Sequence, residues 1–161
     1  MVPMIIVHSS KSGSSKRYAE ELASRTGLRC YPVGSDLPEG EPIVFFGWNR
    51  GDYVVGLNKV DKSRLKTVCV VGLDDEGRFD GRKVSDRNRV TVPVYYLRGW
   101  IDRSKLNLLD KGVLALVAAM MKLRGLNEHN RPIFDAMMEG GSFYYPSYLD
   151  SIELFIGSAG S

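Results

Sequence analysis

A chain of 161 residues, 43% of them apolar, has the length of one domain and enough hydrophobic material for a real core. Its 22 Lys and Arg against 19 Asp and Glu leave a formal charge of +3, too balanced to argue for nucleic acid without a clustered basic face. Cys30 and Cys69 share no CxxC and no metal-ligand spacing, so they read as buried free thiols, and nothing demands an oxidising compartment.

The apolar run Met4-Ile5-Ile6-Val7 has no basic stretch before it and no cleavage site after it, which predicts a first strand over Met4–His8 rather than a signal peptide. Ser14–Thr26 follows as a helix, with Tyr18 and Leu22 at helical spacing and Gly27 to end it. Leu28–Val33 and Pro42–Gly47 are the second and third strands, and the link Gly34–Glu41 is too short for a crossover helix. Asp52–Leu65 reads as a weaker helix, diluted by Val54, Val55 and Gly56. Thr67–Gly72 is the fourth strand, Asp80–Asn88 one or two charged helical turns, and Val90–Leu97 the fifth strand, its start made irregular by Pro93. Asp102–Arg124 holds a long helix, and Ser151–Ile156 a last short one.

Strands alternating with covering segments predict an α/β domain over 1–161, with residues 131–161 as a C-terminal arm packing on it. The expected architecture is a three-layer, doubly wound, five-stranded parallel sheet in the order 2-1-3-4-5. Within the long helix, the run Gly112–Met121 is apolar all round and closed by Lys111 and Lys122, well short of the ~20 residues that span a bilayer. A soluble, cytoplasmic protein is expected. Something must still cover the second side of that helix. The arm, with Phe134, Met137, Tyr144 and Tyr148, is the first candidate; a homodimer partner or peripheral contact with a membrane surface are the alternatives.

The stretch Ser9-Ser10-Lys11-Ser12-Gly13-Ser14-Ser15-Lys16 follows a buried strand and opens a helix. Ligands of open parallel sheets bind outside the carboxyl ends of the strands, where this loop lies. Unpaired N–H groups of a first helical turn and the helix dipole favour an anion there. Gly13 lets the backbone come close or turn left-handed, the hydroxyls of Ser10, Ser12, Ser14 and Ser15 can donate to phosphate oxygens, and Lys11 and Lys16 add positive potential. The plain alternative is a solvated turn whose serine caps the helix. The chain has no GxxxxGK[ST], GxGxxG or GxSxG motif, and its histidines, His8 and His129, lack partners in a metal-ligand pattern.

Ser10-Lys11-Ser12-Gly13-Ser14-Ser15 resembles the [ST]-x-[ST]-G-x-[ST] loop that wraps the FMN phosphate in flavodoxins. Ile43–Gly47 with Trp48-Asn49-Arg50-Gly51, and Val68–Leu73 with Asp74-Asp75-Glu76-Gly77, are similar to that family's third and fourth strands and flavin loops. Tyr95-Tyr96-Leu97-Arg98-Gly99 leading to Ile101–Leu106 resembles the branch that includes menaquinone-dependent protoporphyrinogen oxidase. The resemblance implies FMN as cofactor and electron transfer or a small flavin-dependent oxidoreductase, with a redox partner protein, a quinone or porphyrinogen, or another small-molecule substrate. It implies no catalytic side chain. Trp48 would lie against the flavin ring unless it is simply a half-exposed aromatic at a strand end, and Asn49 would offer amide hydrogen bonds. Carboxylates such as Asp74 near the ring would disfavour a reduced, anionic flavin, although an ordinary solvated turn explains them more simply. The basic run Arg78, Arg82, Lys83, Arg87 and Arg89 reads as a solvated face, the alternative being a surface that attracts an acidic partner or an anionic substrate. The competing reading is a non-redox domain that has lost FMN and binds another phosphate ligand or a protein partner.

Overall fold

The computed structural model describes residues 3–9, 13–74, 76–101, 107–139, 141–142 and 144–159. In chain order the first half comprises β1 (Ile5–Ser9), α1 (Ser14–Thr26), β2 (Arg29–Pro32), β3 (Ile43–Arg50), β4 (Tyr53–Val54) and β5 (Leu65–Gly72). The second half comprises α2 (Gly81–Asn88), β6 (Val94–Arg98), β7 (Trp100–Ile101), α3 (Leu108–Arg124), α4 (Arg131–Glu139), β8 (Gly141–Ser142) and α5 (Leu149–Ala159). Strands β2-β1-β3-β5-β6 pair in parallel in that order, β4 folds back antiparallel on β3, and β7 pairs with β8 in a separate ribbon. In chain-order numbering the path is therefore 2-1-3-5-6 rather than the expected 2-1-3-4-5, because the short strand Tyr53–Val54 takes the fourth place.

Side chains alternate across a strand, so each parallel strand must find cover on two sides. Ile6, Val44, Phe46, Cys69, Val71 and Leu97 point to one side, where α1 and α5 bring Tyr18, Leu22, Leu149, Ile152 and Ile156. Ile5, Val7, Ile43, Phe45, Val68 and Val70 point to the other, beneath Val54, Leu57, Val60, Val84 and Val90. This is an α/β arrangement consistent with three layers. Each fully buried aliphatic side chain stabilises it by roughly 1.5–3 kcal/mol.

Helix α1 ends as the sequence predicts, on Gly27 in the left-handed conformation at φ 74° with its N–H bonded to the Ala23 carbonyl. Helix α2 is capped by Asp80, whose carboxylate accepts from the Lys83 N–H. The weaker helix expected over Asp52–Leu65 does not form. Asp52 and Gly56 take positive φ, 69° and 84°, which interrupts a helical path. The buried Asn88 side chain accepts from the Val54 N–H at 3.0 Å and donates to the Asp52 and Val84 carbonyls, stapling β4 to α2. The rest of that segment makes two short 3-10 turns, Leu57–Lys59 and Lys62–Arg64.

The C-terminal arm packs on α1. The hydroxyl of fully buried Tyr18 donates to the Arg98 carbonyl and accepts from the Tyr145 N–H, while its ring meets Tyr144 at 4.5 Å. Arg25 pairs with Glu21 on its own helix and with Asp150 and Glu153 on α5. The expectation that this arm covers the apolar helix holds only in part. Helix α5 goes to α1, α4 packs only along the side of α3 that carries Leu114 and Met121, and seven large apolar residues of α3 stay exposed. Among the described residues no helix is long and apolar enough to cross a membrane. Both cysteines are free, and burial pushes the Cys30 thiol up to about 11.

His8, at the carboxyl end of β1, is held below the ordinary imidazole range, first by burial. Glu20 opposes that shift and Lys16 adds to it. The unfolded chain therefore takes up this proton more readily than the folded one. Stability from His8 is complete above about pH 6.5 and declines as pH falls towards the depressed folded value. The melting temperature should drop between pH 7.5 and 5.5 by more in the native chain than in His8→Gln; equal drops would exclude His8 as the source.

Candidate functional site

Three loops converge at the carboxyl edge of the sheet. The first opens α1. Gly13 is its N-cap, left-handed at φ 96°, and contributes no side-chain cap. Ser14 and Ser15 are fully buried, and Ser15 Oγ has no hydrogen-bond partner among the described residues. A buried hydroxyl left unsatisfied costs about 1–3 kcal/mol, so an acceptor brought to this turn would recover that energy. Two glycines fix the loop from either side. A Cβ on Gly56 would stand 2.5 Å from Ser9 Oγ, and one on Gly99 would stand 2.6 Å from both Ser14 Oγ and Val71 Cγ1. Ser10, Lys11 and Ser12 lie outside the described residues.

The second loop is the β3–β4 hairpin. Asn49 Oδ1 accepts from the Asp52 N–H at 2.9 Å, so half of its amide is committed to the turn. The Val55 N–H returns to the Trp48 carbonyl at 2.9 Å. Arg50 reaches Asp110 at 3.4 Å and ties the hairpin to the first turn of α3.

The third loop follows β5, and side chains of β6 hold it. Arg98 donates to the Leu73 carbonyl through Nε and Nη2, at 3.2 and 2.9 Å, and the Tyr96 hydroxyl donates to the Asp74 carbonyl at 2.7 Å. Burial, with the Asp74 carboxylate nearby, pushes the Tyr96 pKa up, which keeps that donor protonated. Glycine at position 72 makes room for it, because a Cβ there would lie 2.8 Å from the Tyr96 hydroxyl. Phe79 stacks on the Tyr96 ring at 4.6 Å.

Between the second and third loops lies a cavity of about 640 Å³, within the range of small-molecule sites. Trp48, Leu73 and Tyr96 line its sheet side, while Leu114 and Met121 of α3 and Ile133 and Met137 of α4 roof it. Polar groups stand at the margin: Asn49, Arg50, Asp74, Arg78, Arg124 and His129. His129 Nε2 lies 3.2 Å from Asp74 Oδ1, so an imidazole is oriented at the mouth.

The structure thus brings Trp48, Asn49 and Asp74 together in one cavity wall and leaves Gly13, Ser14 and Ser15 apart from it at the start of α1. The two places are one step from each other. Gly72 lines the cavity, the Gly99 N–H bonds to its carbonyl at 2.9 Å, and Gly99 abuts Ser14. Sequence reasoning missed Tyr96 and His129. Alternation along β6 puts Tyr96 on the side of the sheet opposite Leu97, a usable signal. His129 is 55 positions from Asp74, and nothing local announces the pairing. The chain matches no known protein-family model, and no curated protein is similar enough to count as a relative.

Gly99→Ala must displace buried Ser14 or Val71 and should cost about 1–3 kcal/mol. Gly112→Ala meets open space inside α3 and should stabilise the fold by up to about 1 kcal/mol. Urea denaturation of the two variants reads both; a harmless Gly99→Ala would contradict the tight fit of the loop.

Proposed function

We propose that this chain is a flavodoxin-like FMN-binding protein that acts as a small oxidoreductase on an apolar substrate such as a quinone. The observation that carries the reading is buried Ser15 Oγ, without a hydrogen-bond partner among the described residues, in the first turn of a 13-residue helix whose glycine N-cap offers no side-chain cap. That turn has the donors a phosphate dianion needs: main-chain N–H groups, a dipole of the right sign and a hydroxyl in want of an acceptor.

The residues present fit the group at both ends. Gly13, Ser14 and Ser15 would hold the phosphate, and the cavity bordered by Trp48, Tyr96, Asn49 and Asp74 would take the ring. When bound, the flavin supplies one- or two-electron transfer, and the protein supplies orientation and access. Trp48 and Tyr96 offer aromatic surface, and the amide hydrogens of Asn49 can meet polar ring edges. The roof of α3 and α4 favours an enzyme over a carrier. A carrier leaves the ring edge open to another protein, whereas Leu114, Met121, Ile133 and Met137 enclose apolar space above Trp48. His129, oriented by Asp74, can give or take a proton at the mouth.

Titration of the purified protein with FMN, followed by the visible flavin band and by tryptophan fluorescence, tests the reading. Saturable binding with quenching is expected. Ser15→Ala should weaken binding by about tenfold or more, the loss of one hydrogen bond to a charged group. The same change should raise the stability of the ligand-free protein by about 1 kcal/mol, because it removes an unsatisfied hydroxyl. A protein that takes no FMN would leave the non-redox reading, a domain for another phosphate ligand or a protein partner.

A further inference from the structure

Helix α3 is 17 residues long, and of its residues only Asp110 and Ala118 are buried. On the arc facing away from α4, Leu108, Leu109, Leu116, Met120 and Leu123 are 89, 76, 64, 46 and 88% exposed. With Gly112, Ala115 and Ala119 between them, they form an unbroken apolar face roughly 25 Å long at 1.5 Å per residue. Contiguous apolar surface of this kind on a folded protein marks a contact.

The charges that border the face identify what it meets. At 100° per residue, Lys111 and Lys122 fall together along one border and Arg124 along the other. The helix's single carboxylate, Asp110, is buried and paired with Arg50. Among the described residues of α3, the charges along this rim are all basic. Two copies packed antiparallel about the helix midpoint would set Lys111 of one against Lys122 of the other, twice, with no acid on that face of either helix to answer them. A layer of anionic headgroups answers all of them. The helix is too short to cross a bilayer and shaped to lie along one.

We propose that α3 rests in the interface of an anionic lipid bilayer, with Leu108, Leu116 and Leu123 among the acyl chains and Lys111, Lys122 and Arg124 on the lipid phosphates. Val113 and Val117 on its flank also line the cavity, so the same helix separates the candidate site from the lipid. The inference rests on this helix alone and holds whether or not FMN binds.

Sedimentation of the whole chain with phosphatidylcholine vesicles, with and without phosphatidylglycerol, tests it, alongside light scattering of the lipid-free protein. Binding to the anionic vesicles is expected, falling about 100-fold on neutral ones if each of three basic residues contributes as such residues do near an anionic surface. Leu116→Glu with Leu123→Glu, both exposed and harmless to the core, should abolish binding, and Lys111→Gln with Lys122→Gln should weaken it more than tenfold. No binding to anionic vesicles, or equal binding to neutral ones, overturns the proposal. So does a lipid-free dimer that the double glutamate variant dissociates, which would assign the face to a second copy.

Discussion

A parallel sheet has no side it can leave to water, and the molecule is arranged around that constraint. Ile5, Ile6 and Val7 of the interior strand β1 are fully buried, as are residues 43–46 of β3 and residues 68–71 of β5, and both covers must be supplied by the segments that connect the strands. On one side α1 and α5 provide the cover; on the other α2 and the irregular stretch after β4 do. With both faces occupied, the carboxyl edge is where loops gather. There the start of α1, the β3–β4 hairpin and the turn after β5 come together, pinned by Gly56, Gly99, Arg98 and Tyr96. The candidate site is a consequence of how the sheet is covered.

Much of this could be read in the residues, where local chemistry and tertiary packing agree. Helix α1 is bounded by glycines that the structure shows to be left-handed, and its buried Tyr18, Ala19 and Leu22 lie on one face, so its limits match the sequence expectation at both ends. Strand cores were legible because continuous apolar runs suit double-sided burial. The segment after β3 was not, because Val54 takes its partner from Asn88, distant in sequence, and a propensity argument has no access to that hydrogen bond. Helix α4 was subsumed in an arm, although Asn130, whose carbonyl accepts from the Phe134 N–H, and Pro132 in the first turn are ordinary signals of a helix start. In the site, Trp48, Asn49 and Asp74 were found as residues following strands. The roof of α3 and α4 and the imidazole at position 129 were not, since long-range packing alone puts them there.

Helix α3 links the two functional ideas. One side of it closes the cavity with Leu114 and Met121, its flank contributes Val113 and Val117, and its outer side carries apolar residues with a basic border. Under the two proposals, a substrate dissolved in lipid would meet this helix before the cavity, and the exposed face and the enclosed apolar space would serve one purpose. Arg50, joining the hairpin to Asp110 on α3, is one contact between that helix and the cavity wall.

Comparing the affinities of FMN and riboflavin for the same protein tests the central claim most directly, because the two ligands share a ring and differ in the phosphate. A dianion held by the first turn of α1 and by Ser15 predicts that riboflavin binds about 100-fold more weakly or worse, the loss of two or more hydrogen bonds to a charged group. Equal affinities would show that the ring alone is recognised and that the opening of α1 holds no phosphate.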